Sequence, residues 1–109
     1  MNDSRMDYVI RFNKRYLPVE TKLSVSAEPN IVSQVSKYVY NSQVFLTDDR
    51  KRRVTGEDFH PGKVLIIDTE KIFMYDAKSN LVEEILDLNQ ITSKADLSLV
   101  KQIIRQKLN

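Results

Sequence analysis

The sequence predicts an α+β domain in which a hairpin runs into a helix, more strands follow, and a last strand closes the sheet. Three observations predict it. Val19, Thr21, Leu23, Val25 and Ala27 alternate with Glu20, Lys22, Ser24 and Ser26, the period of a strand with one wet and one buried face. Ile31, Val35 and Val39, with Val32 and Tyr38, then fall at helical spacing. Between residues 64 and 85, short apolar runs are separated by turn-forming residues. At 109 residues the chain is one domain with one modest core. We read it as a unit from residue 7 to 101, followed by a helical or frayed tail at 102–109.

The hairpin opens with Tyr8, Ile10 and Phe12 on one face of a strand and Arg11 opposite, and Asn13-Lys14-Arg15 supplies its turn. Pro18 suits the beginning of the second strand, where a missing N–H costs least. Glu28-Pro29-Asn30 stops that strand, and Asn30 is placed to cap a helix over 30–42. The β-branched content of that stretch leaves a strand over Lys37–Phe45 as the competing reading. Residues 46–62 are the least regular segment, long for a loop in a small domain.

Val64-Leu65-Ile66-Ile67 reads as a strand buried on both faces. Asp68-Thr69-Glu70 makes a tight turn into Ile72-Phe73-Met74-Tyr75, and Lys78-Ser79-Asn80 turns the chain into Leu81–Ile85. Leu86–Ile91 has the look of a short helical turn, and Leu97, Leu99 and Val100 are expected to close the sheet. In the tail, Val100, Ile104 and Leu108 would share a helical face.

Composition narrows the function. No apolar run approaches the roughly 18–20 residues that span a bilayer, and the first five residues lack the apolar core of a signal peptide. The chain has no cysteine and one histidine, His60, so disulfides and thiolate metal sites are excluded. A net charge of +2 argues against non-specific nucleic-acid binding, which needs many uncompensated cations. No nucleophile with a base, metal cluster or phosphate loop stands out. The expectation is therefore a non-enzymatic domain without a cofactor, in the cytoplasm.

The order hairpin, helix, strands and closing strand resembles the ubiquitin-like β-grasp. In that family apolar residues follow a buried aliphatic at six, eight and nine positions, matched here by Ile91, Leu97, Leu99 and Val100. Pro29-Asn30-Ile31, Phe59-His60, Lys63-Val64 and Met74-Tyr75-Asp76 are similar to the ubiquitin-like head domains of trypanosome flagellar-pocket-collar scaffold proteins. The resemblance implies a protein–protein interaction domain, the head of a cytoskeletal or flagellar scaffold, holding a partner segment near Lys71 and Tyr75. The chain ends Lys107-Leu108-Asn109 without a Gly-Gly pair, so a conjugated modifier is not expected. A second resemblance is to pleckstrin-homology-like domains, including class I myosin tails. It rests on the run Val64–Thr92, ending in Glu84-Ile85-Leu86-Asp87-Leu88-Asn89-Gln90-Ile91-Thr92. It implies a β-barrel with a C-terminal helix over Leu97–Leu108, and a phosphoinositide- or membrane-binding module.

Two sets of residues are candidate sites. Lys71, Phe73 and Tyr75 share one strand face, and together they form an amphipathic surface able to anchor a peptide. The competing reading puts Phe73 and Tyr75 in the core, with Lys71 reaching outward along its stem. Arg50, Lys51, Arg52 and Arg53 form the densest basic run, suited to carboxylates or phosphates. Asp48, Asp49, Glu57 and Asp58 flank that run, so a solvated, self-compensating loop is the alternative. Phe59 and His60 are read as a core plug and a bystander, or else as partner contacts. Glu83, Glu84 and Asp87 are read as a solvated face.

Overall fold

The computed structural model describes residues 8–40 and 59–108. A five-stranded mixed sheet runs in the order β1 (Tyr8–Phe12), β2 (Arg15–Thr21), β3 (Lys63–Ile67), β4 (Lys71–Asp76) and β5 (Leu81–Asp87). Helix α1 (Ile31–Tyr40) lies between β2 and β3 in the chain, and helix α2 (Lys94–Leu108) follows β5. The α+β class is therefore as expected. Neighbouring strands are antiparallel except β2 and β3, which run parallel. Parallel neighbours need a long crossover, and the segment holding α1 provides it.

Each face of the sheet has its own apolar cluster. Ile31, Val35 and Tyr38 of α1 pack with Val25, Val64, Ile66 and Tyr75 on one face. On the other, Ile104 of α2 joins Leu17, Val19, Leu65, Ile72, Met74 and Leu86. Val64, Leu65 and Ile66 are buried in succession because helices cover both sides of β3, as the continuous apolar run implies. The same packing explains why Ile31–Tyr40 is helical despite its β-branched residues, since burial of a stripe outweighs weak propensity. The Asn30 carbonyl accepts the Gln34 N–H at 3.0 Å, which starts the helix where the capping signal stands. Of the competing strand, residues 37–40 are helical and 41–45 lie outside the described residues.

The β1–β2 connection is a two-residue turn with Asn13 and Lys14 both at positive φ, 51° and 68°. That is the type I′ pattern, whose twist matches the flanking strands. Pro18 falls inside β2 rather than at its start. The parallel pairing with β3 begins only at Val19, and the Tyr16–Phe59 bridge lies before it. Pro18 thus occupies a gap in that ladder, where no N–H is needed.

Two further expectations are corrected. The alternation to Ala27 does not extend β2, which ends at Thr21, and Val25–Ala27 form a 3-10 turn. Leu23 remains 84% exposed, and the Val25 N–H donates to Asp68 Oδ2 at 2.9 Å instead of to a strand. The closing strand at Leu97–Val100 is instead helical, part of α2. Leu97 and Leu99 are half-exposed, whereas Val100, Ile103, Ile104 and Leu108 bury the stripe. At the start of α2 the Asp96 carboxylate reaches back to accept backbone N–H groups, Thr92 at 2.8 Å and Ser93 at 3.1 Å. The tail is helical through Leu108, continuous with the rest of α2, and Val100, Ile104 and Leu108 share the face that packs on the core.

Candidate functional site

Lys71, Phe73 and Tyr75 do share a face of β4, and that face lies under α1. Tyr75 is fully buried, and its O–H donates to Asn80 Oδ1 at 2.8 Å. Phe73 is half-buried against the same cluster. Lys71 Nζ meets Glu84 Oε1 of β5 at 2.7 Å. The hydrogen bond and charge of Glu84 hold the Lys71 ammonium above its usual lysine range. The three residues are therefore not an open patch: packing on both faces of β4 takes the tyrosine that was to anchor a partner. Arg50, Lys51, Arg52 and Arg53 lie outside the described residues.

Phe59 is buried against Tyr16, with ring centroids 5.7 Å apart. His60 donates its backbone N–H to the Tyr16 carbonyl at 2.9 Å, and its ring Nε2–H donates to the Phe12 carbonyl. Both tie the chain after the crossover to the first hairpin. Glu83 pairs with Lys107 of α2 at 2.8 Å, and Asp87 Oδ1 accepts the Asn89 N–H at 2.9 Å.

The displaced carboxylates have structural partners as well. Burial works against ionisation of Asp68, but N–H groups of Val25, Glu70 and Lys71 outweigh it and hold the carboxyl below the usual range. Asp76 is lowered by its 3.0 Å bond to Lys63 and by the Lys78 N–H. Asp96 is lowered by the Thr92 N–H and, against burial, by the Ser93 N–H. Among the described residues, no cluster of three or more His, Cys, Asp or Glu side chains could hold a metal ion. No described helix is long and apolar enough to cross a membrane.

The two edges of the sheet differ. On β5, Phe73 is opposite Glu84 while Ile72 is opposite Leu86, so Ile85 is an extra residue in a bulge. Bulges and edge charges of this kind discourage further strand pairing. Strand β1 is regular, pairing residue for residue with β2 from Tyr8 to Phe12. Among the described residues no strand lies outside it.

Exposed cations gather around this second edge. The Arg11 guanidinium lies 5.9 Å from the centroid of the Tyr16 ring, and that of Arg105 in α2 lies 5.8 Å from Phe12. Lys14 and Arg15 are exposed at the turn. The sequence carried a signal for this surface: residues 8–18 contain three cations and no carboxylate. The chain matches no family model, no curated protein and no solved structure in comparisons with known proteins.

Proposed function

We propose that this domain is a non-catalytic protein-interaction module that takes an extended partner segment as an added strand on the outer edge of β1. One observation carries the reading: β1 is a regular edge strand uncovered among the described residues, whereas β5 is bulged and lined by Glu83 and Glu84. An added strand gains main-chain hydrogen bonds along such an edge, and its alternate side chains supply specificity. The pairing of the ionisable groups supports a non-catalytic role, since Asp68, Asp76 and Asp96 hold turns and Lys71 holds Glu84. The β-grasp form of the reading rested on the hairpin-then-helix start, with a closing strand at Leu97–Val100 as further support. With α2 in that place, the proposal rests on the sheet edge instead.

A β-prone octapeptide and its backbone N-methylated twin test the edge, with fluorescence anisotropy as the readout. The proposal expects the first to bind and the second not to. Equal binding, or none by either, refutes it.

A second reading has an observation of its own. Helix α2 at Lys94–Leu108 falls where the pleckstrin-homology-like resemblance expects a C-terminal helix, which supports a membrane-binding module. Co-sedimentation with phosphoinositide-containing vesicles supports that reading, and absence of the protein from the pellet removes it.

A further inference from the structure

We infer that the strand added to β1 is an acidic protein segment, gripped by Arg11, Lys14 and Arg15 of the hairpin and by Arg105 of α2. This rests on the edge-strand reading above and names the chemistry of its partner. Residues 8–18 and 101–106 contain no carboxylate, and their cations are Arg11, Lys14, Arg15, Lys101 and Arg105, all exposed. On the other strands Lys63 pairs with Asp76 and Lys71 with Glu84, and Lys107 of α2 pairs with Glu83. Among the described residues, the hairpin end brings several exposed cations together with no carboxylate within residues 8–18 or 101–106.

The guanidinium groups are also placed for carboxylates. Arg11 leans on Tyr16 and Arg105 on Phe12, contacts that limit the freedom of a long side chain. A guanidinium against a ring can still direct N–H donors outward to a carboxylate. Arg15 is directly opposite Phe12 in the β1–β2 register, which puts it on the sheet face of Arg105. Arg11 is on the other face, because neighbouring residues of a strand point to opposite sides.

That distribution chooses among anionic partners. Cations on both faces of one edge suit a strand whose own side chains alternate, whereas a membrane plane would meet only one of the faces. Pairing with β1 of a second copy would set this charge against itself, which is destabilising across a ladder. The net charge of +2 is small for a nucleic-acid binder.

The test uses the whole chain and four labelled octapeptides: one alternating Glu with Val and Thr, its Gln counterpart, and the backbone N-methylated form of each. The acidic peptide is expected to bind about tenfold more tightly than the Gln peptide at low salt, the combined effect of a few exposed ion pairs. The preference shrinks as ionic strength rises. It is lost in the R11S/R15S/R105S triple variant and retained in the corresponding lysine triple, whose thermal transition also serves as the folding control. Equal affinity for the Glu and Gln peptides, with both N-methylated forms failing, overturns the acidic partner and leaves the edge reading standing. Acidic binding that survives N-methylation overturns the edge reading. A preference undiminished in the serine triple removes these arginines. Tighter binding to anionic vesicles or RNA than to the acidic peptide overturns the choice of partner, and no binding by any peptide overturns both readings.

Discussion

Truncating Tyr75 to alanine should unfold much of the stability of this domain rather than trim a binding surface. The ring is fully buried among Val25, Ile31, Val35, Tyr38, Val64 and Ile66. A buried tyrosine removes about 150 Å² or more from water, and at about 25 cal/mol per Å² its loss costs about 4 kcal/mol. That agrees with the roughly 3–5 kcal/mol found when large core aromatics become alanine. The bond from Tyr75 O–H to Asn80 Oδ1 adds about 1 kcal/mol. A domain of this size has roughly 5–15 kcal/mol in total, so Tyr75→Ala leaves a marginal fold, while Tyr75→Phe keeps the buried ring and loses the bond to Asn80. Urea denaturation of both variants, read as the midpoint at unchanged m-value, separates the two contributions. A Tyr75→Ala loss under about 1 kcal/mol would refute the burial argument and restore Tyr75 as a surface anchor.

Other outcomes follow from the turns and the charges. Lys14→Gly should stabilise by about 0.5–1 kcal/mol, because glycine takes the left-handed conformation at Lys14 without the penalty of a Cβ, and a thermal melt will read it. Gly62→Ala should destabilise by about 1–2 kcal/mol: Gly62 has φ +70°, and a Cβ there would sit 3.4 Å from that of Ala77. An unchanged midpoint would contradict that turn geometry. Asp68, Asp76 and Asp96 all have folded-state pKa values below their unfolded ones. Their stabilisation is therefore complete above the unfolded value of about 4 and is lost as pH falls through the folded values. Asp68→Asn should flatten the fall of the urea midpoint on acidification, and equal slopes in variant and parent would count against the three N–H bonds.

The parts of the fold legible in the sequence are those with local causes. The stripe through Ile31, Val35 and Tyr38 and the turns at 68–70 and 78–80 depend on neighbours within a few residues. The end of β2 does not, because the Val25 N–H goes to Asp68, 43 residues away. Leu97-Ser98-Leu99 imitates a strand over three residues, while Ser93-Lys94-Ala95-Asp96 was a local helix signal ahead of it. For Tyr75 the strand assignment holds, and of the two readings of its face the buried one matches. Strand periodicity separates two faces but does not say that helices cover both, and here α1 covers one and α2 the other. The basic hairpin was readable as charge, but its convergence with Arg105 required the packing of α2.

The central claim, that β1 is the binding edge, is tested most directly by titrating the isotope-labelled domain with the acidic octapeptide and following backbone amide shifts by NMR. The account predicts the largest changes along Tyr8–Phe12 and at Arg15, with β5 unmoved. Changes centred on Lys71, Phe73 and β5, or none at saturating peptide, would contradict it.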